Sequence, residues 1–204
     1  TDSNQAAGTF ISSAPCGYYA ILTTRYEDVG GVETAVNVKY MTHVPAISPI
    51  ALVVLFAGGT GNTGIVGNAA TGEVTAAGNN FLVRSAQLFA EQGYLALTLD
   101  RPSTTTAYTI LEYDNYRISP RHAQDISTVV SEVNSANLDV FPAGTSRGAI
   151  SAVANDLLGV GALLSSPVTS GGSLYVGHPG VPVLQPASVG VPVQVMAHRQ
   201  DGCA

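Results

Sequence analysis

The residues Ile50-Ala51-Leu52-Val53-Val54-Leu55-Phe56-Ala57 form an unbroken apolar run that ends abruptly in Gly58-Gly59-Thr60-Gly61-Asn62. A strand with one face in water alternates apolar and polar residues, so a strand that is apolar at every position needs cover on both faces. That requirement points to a layered α/β structure. Tyr94–Leu99, Leu138–Phe141, Gly161–Ser165 and Val191–Ala197 read as further short strands. Between them, Phe81–Gln92 places Leu82, Ala86, Leu88 and Phe89 at helical spacing, with Gly93 as a stop. Ser119-Pro120 is an N-cap followed by a first-turn proline, and Ala123, Ile126, Val129, Val130 and Val133 form one apolar stripe of a helix reaching about Asn134. Arg147–Leu158 predicts another helix. This alternation specifies a mainly parallel sheet with helices on both faces. Ahead of it, Tyr18–Tyr26 and Glu33–Tyr40, rich in β-branched and aromatic residues and separated by Gly30-Gly31, predict an antiparallel pair. With no internal repeat or dividing linker, residues 1–204 read as one domain.

Charge removes several classes of function. The net charge is −6 and only eight residues are Lys or Arg, without a basic stretch that would follow a phosphate backbone, so nucleic acid is not an expected partner. No apolar run approaches the roughly 18 residues of a membrane span. Charged residues make up 11%, against about 25% in an average soluble domain. The Gly/Ser/Thr-rich, lysine-poor composition and the two cysteines, Cys16 and Cys203, lead to the expectation of a secreted or periplasmic protein with disulfides. The start Thr1-Asp2-Ser3-Asn4-Gln5 suits a mature end left by signal removal, or a trimmed chain. No cofactor motif is present, and His198 and Asp201, though close together, have no third metal ligand at a recognisable spacing.

The segment that carries chemistry is Gly144-Thr145-Ser146-Arg147-Gly148. It matches G-x-S-x-G between an expected strand and an expected helix, which is the context that motif requires. A serine on so sharp a turn is lifted above the sheet, near the positive end of the next helix. The plainer alternative is that Ser146 is only an N-cap.

Gly144–Gly148 resembles the nucleophile elbow of the α/β-hydrolase family, and the neighbouring elements, from about Tyr18 to Ala204, fall in that family's order. The resemblance implies a serine hydrolase, most naturally acting on a small-molecule carboxylic ester, with Ser146 as nucleophile. It also implies an oxyanion hole built from backbone amides of Arg147 and of the glycine-rich loop, where Gly59 and Thr60 are the candidates. The alternative for that loop is a flexible turn; it lacks the G-K-[ST] ending of a P-loop. The family's acid follows a late strand, which selects Asp201, with Asp156 as the weaker rival and a surface turn as the plain alternative.

The family's histidine follows the acid, and after Asp201 come only Gly202, Cys203 and Ala204. Of the histidines present, His43, His122, His178 and His198, none matches that position, and His178 is the fallback because Val168–Gly190 is expected to fold over the cleft. The expectation is therefore a domain incomplete at its C-terminus, cut short by processing or trimming, with the histidine on the missing portion that a second polypeptide would supply. Cys203 either pairs with a cysteine there or is a free or separately paired thiol. In the family's strand order Cys16 and Cys203 flank strands some six positions apart, roughly 29 Å at 4.8 Å per strand, beyond the reach of a disulfide. Amide or peptide cleavage and acyl transfer run on the same constellation. A fold that has lost its histidine would be a non-catalytic binding module. The stretch Leu99-Asp100-Arg101-Pro102-Ser103 is expected at the ligand-binding end of the sheet, with Asp100 and Arg101 pairing with each other.

Overall fold

In the computed structural model, the residues described are 16–68, 73–78, 80–157, 168–171 and 193–196. Strand β3 (Leu52–Phe56) lies inside a seven-stranded sheet, and every one of its residues is buried. Its even-numbered side chains, Leu52, Val54 and Phe56, pack with Ile126, Val129 and Val130 of one helix and Ala152 and Val153 of another. Its odd-numbered ones, Val53 and Leu55, pack on the opposite face against Leu82 and Ala86. The apolar run thus reflects cover on both faces, as its composition demands.

The N-terminal pair, β1 (Cys16–Val29) and β2 (Val32–Val44), is antiparallel around Gly30-Gly31, both at positive φ. The strand β6 (Leu95–Leu99) is antiparallel to β2 and parallel to β3. Strands β7 (Val140–Thr145), β8 (Val168–Gly171) and β9 (Val193–Met196) continue the parallel part, giving the order β1-β2-β6-β3-β7-β8-β9. From β3 the chain proceeds to β6 on one side, and from β7 to β8 on the other. Connections that leave two neighbouring strands in opposite directions open a crevice at their carboxyl ends.

Helix α4 (Pro120–Val133) starts at the Ser119 cap and buries Ala123, Ile126, Val129 and Val130, as its stripe predicts. Helix α5 (Gly148–Leu157) follows β7. The helix expected over Phe81–Gln92 is two pieces, α1 (Phe81–Arg84) and α2 (Ala86–Glu91), divided at Ser85, whose hydroxyl donates back to the Phe81 carbonyl at 2.9 Å. Such a bond competes with the helical ladder. The strand expected at Gly161–Ser165 lies outside the described residues; the strand beside β7 begins at Val168, inside the stretch assigned to a cleft loop. A small hairpin of β4 (Ile65–Asn68) and β5 (Glu73–Ala76) had no counterpart in the sequence reading.

Neither did helix α3 (Ile110–Arg117), which starts in a Thr109/Glu112 capping box. The residues it buries are Tyr113, Asp114, Tyr116 and Arg117, half of them charged, so no apolar stripe announces it. Tyr116 and Arg25 both bond Asp125 of α4, the latter at 3.0 Å, tying α3 and α4 to β1 through buried polar groups. Among the described residues no helix is long and apolar enough to cross a membrane.

Candidate active site

Ser146 occupies the turn between β7 and α5 at φ +50°, exposed at the carboxyl end of the sheet. An N-cap has extended backbone and directly precedes the helix; Ser146 has neither property, since α5 begins at Gly148. A non-glycine residue in this region costs on the order of 1 kcal/mol or more and persists where its surroundings enforce it. Here the enforcement is close backbone packing. A Cβ on Gly148 would lie 2.2 Å from the Phe56 carbonyl oxygen, and one on Gly144 would lie 2.2 Å from the Gly148 carbonyl oxygen. Neither position has room for a side chain, so β3, β7 and α5 meet at a single point just below the serine.

The loop after β3 crosses this turn. A Cβ on Gly58 would fall 2.9 Å from the Thr145 carbonyl oxygen and 3.1 Å from Ser146 Cβ. The Gly61 amide closes a turn on the Gly58 carbonyl at 3.0 Å, leaving Gly59 (φ +57°) and Thr60 at its tip. Asn80 fixes the other side: its side-chain Oδ1 caps α1 by accepting from the Leu82 amide at 3.1 Å, and its Nδ2 donates to Thr145 Oγ1 at 3.0 Å. Nothing in the sequence reading singled out Asn80.

Helix α3 braces the loop from beneath. Arg117, almost wholly buried, donates from Nη2 to the carbonyls of Ala57 at 2.8 Å and Gly59 at 3.3 Å, and from Nη1 to Ser151 Oγ. Its guanidinium stacks on the Tyr113 ring, 4.6 Å from the centroid, and the same ring fills the space a Cβ on Gly61 would need. Asp114, fully buried, lies 3.8 Å from Arg117 Nε and forms an ion pair with Arg147, the residue after Ser146. Sequence reasoning missed Asp114 and Arg117; the capping box was the one available signal for the helix that carries them.

The two described histidines are elsewhere. His43 on β2 pairs with Ala96 near the start of β6, at the sheet's other end from Ser146 and three strands from β7. His122 is buried among Phe56, Tyr113 and Tyr116, with Nε2 3.0 Å from Ser151 Oγ. Burial, and then the neighbouring Arg117 charge, push its pKa down to about 3. The neutral ring is the folded form. Unfolded His122 takes a proton near pH 6.5 whereas folded His122 does not, so this residue withdraws stability as pH falls from about 6.5 toward 3 and has no such effect above that window. Melting temperatures from pH 8 to 4 should therefore decline less steeply in His122→Gln than in the wild type; parallel curves would contradict the assignment.

Asp201, His178, His198 and Cys203 lie outside the described residues, and Cys16 opens β1. Asp156 is near the far end of α5, about 12 Å along the axis from Gly148 at 1.5 Å per residue. Asp100 and Arg101 do not pair through their side chains: Asp100 accepts from the Thr63 and Arg101 amides at 3.0 and 2.9 Å, while the Arg101 guanidinium donates to the Thr106 carbonyl. They do line a cleft of about 540 Å³ with Lys39, Asn62 and Ser103 at the carboxyl end of the sheet. Among the described residues no group of three or more His, Cys, Asp or Glu is placed to hold a metal.

The mostly parallel sheet with helices on both faces, preceded by an antiparallel pair, is the α/β-hydrolase fold. Among solved structures the chain is similar to a cold-adapted esterase from an Arctic intertidal metagenomic library. In its PEG-bound form the TM-score is 0.57 at 15% identity, covering 93% of this chain and 75% of that one. Its zinc-bound form gives 0.55 at 15% identity, covering 93% and 74%. At this identity the likeness is one of fold. No family model and no curated protein matches the chain.

Proposed function

We propose that this protein is a serine hydrolase that cleaves a carboxylic ester through an acyl-enzyme on Ser146. The observation that carries the reading is the enforced positive φ of Ser146, beside a loop packed so closely that a Cβ on Gly58 would lie 3.1 Å from Ser146 Cβ. Backbone strain of this kind concentrates at functional sites. In the reaction, Ser146 Oγ attacks the acyl carbon while its proton passes to a histidine base oriented by Asp201. The carbonyl oxygen becomes an oxyanion received by the amides of Gly59, Thr60 and Arg147. The base returns the proton to the leaving alcohol as the C–O bond breaks, and water then releases the acid. Support for Asp201 over Asp156 comes from β9, which runs parallel to β7 and ends at Met196, so the chain leaves it on the same side of the sheet as Ser146.

A fluorophosphonate probe phosphonylates only an activated serine. Incubated with the purified protein, it should give a single adduct, on the peptide containing Ser146. An adduct on any other serine, or none, would remove the reading.

A further inference from the structure

Two stretches of backbone must be held at a fixed distance if amides from both are to meet one oxyanion: the loop after β3 and the turn before α5. On the reading of Ser146 as nucleophile, we propose that helix α3 is the clamp that sets this distance, with Asp114 and Arg117 as positioning residues. Arg117 holds the loop by its own carbonyls, Ala57 and Gly59. Fixing those oxygens orients the peptide units of Gly58 and Thr60 that share the planes with them. Asp114 reaches the other stretch through Arg147. It is also the counter-charge nearest Arg117 Nε among the described residues. One carboxylate therefore joins both halves. Tyr113, from the same helix turn, fills the space beside Gly61, so the loop cannot settle further toward the helix.

Burying Asp114 and Arg117, with Arg147 partly buried beside them, to support a loop is an expensive way to gain stability, because apolar residues of similar volume usually do as well or better. What a charged cluster adds is direction: charge-assisted bonds, such as those of Arg117 to the Ala57 and Gly59 carbonyls, fix atoms in place, where packing alone tolerates displacement. Preorganised donors are worth most where negative charge develops, and a loop free to move would have to be reordered in each turnover.

The test compares Asp114→Asn, Arg117→Gln and Arg117→Lys with Arg121→Gln, an exposed arginine of α4 outside the cluster. For each variant, kcat and KM for a short-chain ester are measured per phosphonate-titrated site, together with inhibition by an alkylboronic acid, which forms a tetrahedral adduct on the serine. Hydrogen–deuterium exchange is followed over residues 57–63 and 144–149. Asp114→Asn and Arg117→Gln should lower kcat about 10- to 100-fold, less than outright loss of an oxyanion donor, with KM within about 2-fold. Boronate affinity should fall in step with kcat. Arg117→Lys, which keeps the charge and one donor, should recover part of the loss, and Arg121→Gln should match the wild type. Exchange should quicken in the 57–63 segment for Arg117→Gln and in both segments for Asp114→Asn. Unchanged kcat per site and unchanged exchange, with only a lower melting temperature, would overturn the clamp and leave α3 a packing element. If Arg117→Gln does not fold, Arg117→Lys and Asp114→Asn decide the matter alone. Exchange needs no turnover, so a protein that fails to label at Ser146 yet shows this exchange pattern loses the serine reading while the tie between the two backbone stretches stands; a flat pattern in a protein that does label loses the clamp alone.

Discussion

Ser146→Ala will reduce hydrolysis of a chromogenic short-chain ester by about 10⁴- to 10⁶-fold, the scale on which removal of a hydrolase nucleophile is felt. The serine is exposed at the sheet's carboxyl end, and no bond from its hydroxyl is needed for the turn, which is closed by its carbonyl accepting from Ala149 at 3.0 Å. Alanine meets the same positive φ with the same Cβ, so the melting temperature should shift by no more than a few degrees. The decisive result is therefore the pairing of lost activity with a retained circular dichroism melt. Half the activity surviving in a folded variant would remove Ser146 from the mechanism.

Asp201→Asn carries the second large effect, a drop in kcat of about 10⁴-fold, because an amide in place of the carboxylate favours the wrong histidine tautomer and cannot stabilise the imidazolium. In its proposed role Asp201 acts through the histidine and not on the substrate, so KM should change little. The matched variant is Asp156→Asn, about 12 Å along the α5 axis from Gly148 at 1.5 Å per residue, and its kcat should stay near the wild-type value. The opposite outcome, with Asp156→Asn inactive and Asp201→Asn active, would transfer the role of acid. Both variants need to be made in the protein that shows ester hydrolysis and labels at Ser146, so that a lost rate is read against an active reference.

How much of this was legible in the sequence depended on how each element earns its burial. The parallel core was legible because β3, buried on both faces, has only apolar residues, and α4 because its cap, proline and stripe agree. The turn at Ser146 was legible because two glycines flank it for a steric reason that any sequence would have to meet. Helix α3 was not, because it buries charge: Asp114 and Arg117 look like surface residues until Arg147, Ser151 and the carbonyls of the β3 loop are brought to them by the fold. Asn80 was hidden for a similar reason, since its partner Thr145 is distant in sequence. Local pattern reports what an element needs from water; it does not report what one element needs from another.

The positive φ of Ser146 has an evolutionary reading. On the proposed role of Ser146, catalysis and thermal endurance select for different residues at this one position: the nucleophile needs a hydroxyl, whereas the backbone there is most comfortable with glycine, which pays no Cβ penalty. A population screened only for surviving heat would be expected to accumulate Ser146→Gly and become sturdier and inert, while one screened for turnover must retain the serine and recover the lost stability at positions remote from the turn.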